Sequence, residues 1–299
     1  MNIGFIGLGT MGLPMVKSLA AVGHLVFVHD TNPEAMANAQ NQASATVCKW
    51  PSEVAEKTEV LFTCLPDDAI VQDVYLGTNG IVKGARKGLI TCDTSTVSAE
   101  TTIALAKKLE ISGITHLDTP MLGSLPQAIA GEIFFIVGGD TKAINTIGPL
   151  LDVMGRKRIH TGAIGSANVI KLIHNSLAAV TAVAVSESLA VCKTTGVDPR
   201  IFYEVVSNGG GMAYSNYFDR RVSRMLDGEF SPTFSLALML KDIGLGCQIA
   251  DRQSVQTPMM KEALITFKEA SEEGWGQDDF SAVSRIAEKR LGKKIFPKV

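Results

Sequence analysis

Short apolar runs alternate with stretches of helical periodicity over about the first 160 residues of the chain. Four of the apolar runs are rich in β-branched residues and end in a turn or a polar residue, as buried parallel strands do. They cover residues 2–7 (NIGFIG), 25–30, 59–64 and 88–93, with helical stretches such as 11–22 and 98–109 between them. This alternation predicts a doubly wound, mostly parallel α/β sheet, a Rossmann domain, over residues 1–162.

The pattern changes after residue 162, where no further strand is predicted. One long helix is predicted from Ser166 to about Thr195, with a length near 45 Å at 1.5 Å per residue. Shorter helices are predicted at 199–207, 214–226, 234–251, 258–273 and 280–291. Residues 163–299 are therefore predicted to form an all-α domain built on a long central helix. Since no long linker separates the halves, we expect them to pack together with a cleft between them.

A single lysine stands in the apolar part of the long helix. No charged residue lies between Lys171 and Glu187. Such a lysine either extends its ammonium to water along its own stem, or is desolvated, has a lowered pKa and acts as a base. The pattern alone leaves both readings open. A membrane span is not expected, because the uncharged run 172–186 is interrupted by His174 and Asn175 and is shorter than about 20 residues.

Composition narrows the class of protein. With 46% hydrophobic and 19% charged residues and a net charge of -2, the chain is typical of a soluble globular protein and lacks the basic excess of a nucleic-acid-binding protein. The five cysteines are scattered, with no C-x-x-C pair, which indicates a reduced, cytoplasmic protein without a metal site. The N-terminus, MNIGFIGLG, has no basic segment, so we expect the fold and not a signal peptide to begin there.

A glycine-rich motif follows the first predicted strand. GLGTMG is a G-x-G-x-x-G that opens a helix, the context in which this motif binds a dinucleotide. The first glycine allows a tight turn, the second lets the backbone approach a pyrophosphate, and the third permits close packing of helix on strand. The helix N-terminus adds N–H donors for the phosphates. The predicted cofactor contacts are Gly7, Leu8, Gly9, Thr10, Met11 and Gly12.

The residue at the end of the second predicted strand favours one cofactor. Asp30 is placed to accept hydrogen bonds from the adenosine ribose hydroxyls and to repel a 2′-phosphate. No Arg or Lys follows it up to Gln40, although His29 offers a weak phosphate partner. We therefore expect NAD as the cofactor, with NADP less favoured.

Four segments together resemble one enzyme family. GFIGLGTMG, LDTPMLGS, GAIGSANVIKLIHNS and LMLKDIGL, in this order along the chain, are similar to the signatures of the β-hydroxyacid dehydrogenases. This family includes 3-hydroxyisobutyrate dehydrogenase and tartronate semialdehyde reductase and is related to 6-phosphogluconate dehydrogenase. The resemblance extends over essentially the whole chain.

The resemblance implies a role for particular residues. Lys171 falls on the catalytic lysine of the family, and Asn175, one turn later, on its substrate-binding asparagine. It also implies cofactor contacts for Leu65, Pro66 and Thr96, which line the nicotinamide ribose, and for Lys241. The loop Leu122, Gly123 and Ser124 falls on the segment that binds the substrate carboxylate.

Two segments depart from the usual family sequence. Small members read D-A-P-V-S-G-G where this chain reads DTPMLGS, so that Leu122 replaces a serine and Ser124 a glycine. Backbone N–H groups of Gly123 and Ser124 remain as expected carboxylate donors. His174 replaces a common asparagine and is closer to 6-phosphogluconate dehydrogenase.

These features together predict an NAD-dependent oxidoreductase that interconverts a small 3-hydroxy acid and its semialdehyde or 3-oxo acid, with Lys171 as acid/base. The alternatives are a non-catalytic NAD-binding protein and an imine reductase; lysine at position 171 disfavours both. We expect His24, His116 and His160 to be structural. The apolar helix predicts a homodimer or homotetramer, and no nucleic-acid or membrane partner is expected.

Overall fold

The structure is a computed structural model that describes residues 1–296. It divides into two compact units, Met1–Lys171 and Leu172–Val299, the last three residues lying outside the described part. The division falls within one continuous helix. The domain boundary predicted at residue 162 remains a prediction.

The first unit contains a mostly parallel sheet with helices on both faces, which confirms the predicted fold class. Its strands are β1 (Asn2–Ile6), β2 (Leu25–His29), β3 (Thr46–Val47), β4 (Val60–Thr63), β5 (Ile90–Asp93), β6 (Thr115–Asp118), β7 (Met121–Leu122), β8 (Ile133–Gly138) and β9 (Gly155–Gly162). Their order is β3-β2-β1-β4-β5-β6-β8-β7, and β9 pairs with β8. Among the strands that the structure describes, the β6–β8 and β7–β8 pairs are antiparallel and the others are parallel.

The helices of this unit are α1 (Gly12–Ala21), α2 (Pro33–Ala43), α3 (Pro51–Lys57), α4 (Asp68–Leu76), α5 (Ile81–Gly84), α6 (Ala99–Ile111), α7 (Leu125–Ala130) and α8 (Thr141–Met154). Two apolar clusters cover the two faces of the sheet. Val60 and Phe62 of β4 join the cluster formed with α1 and α8, whereas Leu61 joins the one formed with α3, α4 and α6. Burial on both faces explains why these strands read as continuous apolar runs.

A helix of 29 residues, α9 (Ser166–Thr194), runs from the first unit into the second. It is followed by α10 (Pro199–Asn208), α11 (Asn216–Leu226), α12 (Leu236–Arg252), α13 (Pro258–Glu272), a 3₁₀ helix (Phe280–Ser284) and α14 (Arg285–Leu291). Past Gly162, the described chain contains no strand. The helix predicted over 280–291 begins as a 3₁₀ turn, because the Asp279 carboxylate accepts the Ser281 N–H and tightens the first turn.

One face of α9 exposes apolar side chains. Ile170, Ile173, Leu177 and Val191 are 44%, 52%, 67% and 61% exposed, and Ala184 between them is also exposed. Residues 170, 177, 184 and 191 share a face of the helix because seven residues make nearly two turns. We call these five residues the α9 stripe.

By length and composition alone, α9 would suffice to cross a membrane. Within its most apolar window, 44% of the residues are buried inside the protein. Core helices of globular domains meet the same criteria of length and composition, so these criteria do not decide between a core helix and a membrane span. The expectation that no segment spans a membrane remains a prediction.

Candidate cofactor and substrate site

The glycine-rich loop joins β1 to α1 in the first unit. Gly7 has φ +94°, a conformation that favours glycine, and a Cβ there would clash with the carbonyl oxygen of Cys64. A Cβ on Gly12 would clash with the Gly7 carbonyl, whereas a Cβ on Gly9 would meet no atom of the described residues within 4 Å beyond its chain neighbours. The open space at Gly9 is therefore not required by packing, and it fits the approach of a pyrophosphate.

The N-terminus of α1 offers donors to such a group. Met11 occupies the N-cap position and makes no side-chain capping hydrogen bond, and Thr10 before it is exposed. The first N–H groups of a helix have no partner within the helix, and together with the helix dipole they attract an anion. The loop and helix thus fit the phosphates of a dinucleotide.

Asp30 lies directly beside this loop. Its Oδ2 accepts the N–H of Leu8 at 2.6 Å, and its Oδ1 accepts the N–H of Asn32 at 2.7 Å. Each carboxylate oxygen has a second acceptor position, which leaves capacity for the ribose hydroxyls. His29 places its Nδ1 at 3.1 Å from the Cys48 carbonyl oxygen, so this nitrogen is the donor of that bond and is not available to a phosphate.

The predicted nicotinamide contacts follow two adjacent strands. Thr63 of β4 and Asp93 of β5 are paired in register, and the next residues form the turns that contain Leu65, Pro66 and Thr96. The Leu65 N–H donates to Ser95 Oγ at 2.8 Å across the two turns. A Cβ on Gly7 would lie 3.3 Å from Leu65 Cδ2, which places this turn beside the glycine-rich loop.

The segment predicted to bind the substrate carboxylate lies between β6 and α7. Leu122 belongs to β7 and pairs with Phe134, and Gly123 has φ +147°. Ser124 caps α7, and both its N–H and its hydroxyl donate to Gln127 Oε1, at 3.0 and 2.6 Å. The Ser124 N–H, expected to be a carboxylate donor, is therefore already engaged by a side chain of the same loop.

The helix that carries Lys171 is held by Asp118, the last residue of β6 and the first of the sequence DTPMLGS. Asp118, fully buried, accepts the N–H of Gly165 on Oδ1 at 3.0 Å and those of Ala167 and Asn168 on Oδ2 at 2.9 and 3.0 Å. Burial raises the pKa of Asp118, and these backbone hydrogen bonds act against the rise. Lys171 follows three residues after Asn168 and is half-buried. One carboxylate thus ties the candidate acid-binding loop to the helix of the candidate base.

In the second unit, Asn175 belongs to a polar cluster. Its Nδ2 donates to Asp242 Oδ2 at 2.6 Å, and its Oδ1 lies 3.0 Å from Nδ1 of the exposed His174. Lys241 Nζ lies 3.2 Å from Asp242 Oδ1. The structure therefore brings together Asn175 and Lys241, both predicted from the sequence, through a carboxylate that the sequence analysis missed.

Several residues of the site were not predicted. Ser95, Gln127 and Asp242 contact predicted residues directly, and Asp93 contacts Ser95. Three of them had a signal in the sequence. Asp93 ends a strand at the edge where ligands bind in open α/β sheets, Asp242 is the second residue of the KD pair, and Gln127 follows Ser124 at the S-x-x-Q spacing of a capping box.

The remaining histidines lie outside this arrangement. His116 is buried in β6, with Nδ1 at 2.8 Å from Thr91 Oγ1, and burial lowers its pKa to about 3, so it is neutral at physiological pH. His24 is half-buried and His160 is exposed. Within residues 1–296, no group of three or more His, Cys, Asp or Glu side chains is arranged to hold a metal ion. A structural role for these histidines remains a prediction.

Comparison with known proteins identifies families and relatives that match almost the whole chain. The family model for the NAD-binding domain of 6-phosphogluconate dehydrogenase matches residues 2–164, and the model described as NAD-binding of NADP-dependent 3-hydroxyisobutyrate dehydrogenase matches residues 165–287. The 2-(hydroxymethyl)glutarate dehydrogenase of Eubacterium barkeri is 30% identical over 98% of this chain and 97% of its own length.

Solved structures show the same fold. The 3-hydroxyisobutyrate dehydrogenase of Salmonella typhimurium has a TM-score of 0.86 at 27% identity, over 96% of this chain and 99% of its own. Psf3 in complex with NADP+ and 2-OPP has a TM-score of 0.84 at 26% identity, over 95% and 99%. An imine reductase from Pseudomonas is only 16% identical, with a TM-score of 0.62, and shows the fold alone. Because two family models extend from residue 2 to residue 287 and a full-length relative is 30% identical, the chain belongs to the β-hydroxyacid dehydrogenase family.

Proposed function

We propose that this protein is an NAD-dependent dehydrogenase of small 3-hydroxy acids, with Lys171 as its acid/base. The observation that carries the proposal is the Asp118 anchor, because one carboxylate begins the candidate acid-binding loop and also caps the helix of Lys171. Relatives named as dehydrogenases of 3-hydroxyisobutyrate and 2-(hydroxymethyl)glutarate support a 3-hydroxy acid as the substrate class.

The proposed mechanism assigns the proton transfer to the protein. Neutral Lys171 takes the proton of the substrate 3-hydroxyl during oxidation, and protonated Lys171 returns it to the carbonyl oxygen during reduction. Nicotinamide, when bound, accepts or supplies the hydride. Asn175, one turn later on α9, orients the hydroxyl. The Asp242 carboxylate accepts one N–H of the Asn175 amide and orients it, so that the second N–H of Nδ2 can donate to the hydroxyl oxygen.

The loop proposed to bind the substrate carboxylate does not offer all of its donors freely, since those of Ser124 are already engaged. Because Gln127 Oε1 accepts from Ser124, a substrate carboxylate has to replace it there or bind through the remaining donors of the loop. Leu122 adds no hydroxyl. The loop therefore favours strong acceptors such as carboxylates over neutral ones, since charge-assisted hydrogen bonds are roughly twice as strong.

A panel of substrates tests the proposed function. Purified protein is assayed with NAD and NADP against 3-hydroxyisobutyrate, 2-(hydroxymethyl)glutarate and glycerate, against the matching semialdehydes, and against a cyclic imine. Oxidation of at least one 3-hydroxy acid is the expected result. Turnover of the imine alone would make the protein an imine reductase, and NADH binding without any turnover would make it a non-catalytic binding protein.

We expect kcat/KM with NAD to exceed that with NADP by at least about tenfold, roughly 1.4 kcal/mol, because the Asp30 carboxylate repels a 2′-phosphate. Asp30→Ala should narrow this ratio but also loosens the loop, since Asp30 holds the Leu8 N–H. Asp30→Asn keeps an acceptor while removing the charge, and should lower the NAD/NADP ratio at least about fivefold. Steady-state kinetics with both cofactors measures the change; equal use of both by the unmodified enzyme would contradict the assignment.

We also propose that the protein is a homodimer or homotetramer associated through the α9 stripe. The stripe places apolar side chains in water along about six turns of helix, and burial against a second copy would remove them from it. Leu177→Glu should weaken association at least about tenfold, because it buries an unpaired charge. Light scattering at micromolar concentration measures the mass, and Ile111→Glu, at an 88% exposed apolar residue outside the stripe, is the control. A monomeric unmodified protein would reject the proposal.

The state of the cysteines supports a proposal for the cellular location. All five are free, and Cys48, Cys92 and Cys247 are buried. Free thiols are typical of a reducing compartment, so we propose a cytoplasmic location.

A further inference from the structure

A carboxyl group lies within the apolar interior of the first unit. Asp93 is fully buried at the end of β5, and its Oδ1 accepts hydrogen bonds from Thr63 Oγ1 at 2.8 Å, from the Ser95 N–H at 3.1 Å and from Ser95 Oγ. Its Oδ2 is buried and has no hydrogen-bond partner among residues 1–296. Burial raises the pKa of Asp93. Burying such a group costs stability, and an apolar side chain would fill the same space at no such cost.

The hydrogen bonds of Ser95 connect two turns. The backbone ladder between β4 and β5 ends where the Thr94 N–H donates to the Thr63 carbonyl at 2.8 Å. The next donor on the β4 side, the Leu65 N–H, is accepted at 2.8 Å by the Ser95 hydroxyl, which itself donates to Asp93. A side chain thus continues the ladder by one position past the end of the strands, into the turns themselves.

The hydroxyl has a fixed orientation because of Asp93. A serine hydroxyl has one proton, and here it is given to a carboxylate, so the lone pairs face the Leu65 N–H. Without the carboxylate acceptor the hydroxyl would be free to rotate. Asp93 and Ser95 therefore act as one unit that sets the distance between the Leu65 turn and the turn that contains Thr96.

We propose that Ser95, oriented by Asp93, is a positioning residue for the nicotinamide half of the cofactor. The inference rests on the proposed function, in which Leu65, Pro66 and Thr96 line the nicotinamide ribose. Ser95 acts through Leu65 and does not touch the cofactor. Its loss therefore disturbs the nicotinamide end of the site and leaves the adenosine end, at Asp30 and the glycine-rich loop, as it is.

The test compares two ligands on one variant. For Ser95→Ala, the dissociation constant of NADH should rise about 5- to 20-fold, since the Leu65 N–H loses its acceptor and the turn shifts. The dissociation constant of ADP, which lacks nicotinamide, should stay within about twofold. NADH is followed by its fluorescence and ADP by calorimetry. Ser95→Thr, which retains a hydroxyl, should restore most of the NADH affinity.

Thr94→Val is the matched control. It removes a buried hydroxyl from the same turn, and the Thr63 carbonyl that this hydroxyl contacts at 2.7 Å keeps the Thr94 N–H as its donor. The ratio of NADH to ADP affinity should be unchanged in this variant.

If Ser95→Ala does not fold, Ser95→Cys takes its place. Because a thiol is a weaker acceptor than a hydroxyl, the ratio of NADH to ADP affinity should then be intermediate between those of the unmodified protein and of a protein without this hydrogen bond.

Two results would overturn the inference. Equal losses of NADH and ADP affinity in Ser95→Ala, or no loss of either, would show that Ser95 acts only on stability or not at all. If the unmodified protein bound NADH and ADP with equal affinity, nicotinamide would contribute nothing to binding, and both the proposed nicotinamide site and this inference would be wrong. The second result concerns the unmodified protein, so the two failures are distinguishable.

Discussion

Replacing Lys171 by alanine is expected to lower kcat by about 10² to 10⁴, the usual contribution of a positioned proton-transfer group. NADH affinity should stay within about twofold, because the phosphates and ribose are bound by the glycine-rich loop and Asp30 in the proposed site. The pH dependence of kcat for oxidation should also lose the limb that reports deprotonation of the lysine. Steady-state kinetics from pH 6 to 10 and fluorescence titration of NADH measure these effects.

The alternative reading of Lys171 makes the opposite prediction. A lysine that only extends its ammonium to water can be truncated with a change in stability but not in activity per folded molecule. Lys193, exposed in the last turn of the same helix, is the matched control, and Lys193→Ala should leave kcat unchanged. Near-normal turnover by a folded Lys171→Ala protein would refute the proposed mechanism.

Asp118→Asn is expected to lower the free energy of unfolding by about 2–4 kcal/mol. The amide cannot accept on both sides, so its NH₂ group would face one or two of the three N–H donors at the start of α9. Burial raises the pKa of Asp118, so ionisation of this carboxyl is itself costly, and its removal offsets part of the loss. Urea unfolding measures the difference.

Asp140→Asn is the control for this substitution. Asp140 is exposed, and it caps α8 through a single hydrogen bond from the Ala143 N–H at 2.9 Å. Asparagine caps helices as well as aspartate does, so the change should be below about 0.5 kcal/mol. In Asp118→Asn, kcat should also fall by a larger factor than the affinity for NADH. The reason is that Lys171 lies one turn beyond the weakened hydrogen bonds at the start of α9. Equal stability of the two variants would contradict the anchoring role of Asp118.

Local patterns were sufficient for most helices, because caps and apolar periodicity both act within a few residues. The helix predicted from Pro199 begins there, whereas the one predicted from Tyr214 begins at Asn216, since Ser215 caps the helix by accepting the Phe218 N–H. The four strands predicted correspond to β1, β2, β4 and β5, and the other five were not predicted. Strand β9 gives one reason. Its sequence, GRKRIHTG, is polar because it pairs only with β8 and lies largely exposed at an edge.

The site was predictable only where its residues form a local motif. The glycine-rich loop and Asp30 follow from spacing, because one β-α-β unit holds them together. Ser95 contacts a residue 30 positions earlier, and Asp242 one 67 positions earlier. Such contacts depend on the order of strands in the sheet and on the packing of distant helices, which no short pattern specifies. Gln127 could have been predicted from a local pattern and was missed, since Ser124 and Gln127 have the S-x-x-Q spacing of a capping box.

The Asp118 anchor also constrains the order in which the chain folds during synthesis. The donors for this buried carboxylate come from residues 47, 49 and 50 positions later. At about 5–20 residues per second, the ribosome needs roughly 2–10 s to add them. Until then the buried carboxyl group at the end of β6 lacks these donors, so the first unit is not fully stabilised when its last strand, β9, has been made. A fragment that stops at Gly162 should therefore fold less stably than one extended to residue 194, although both contain every strand that the structure describes.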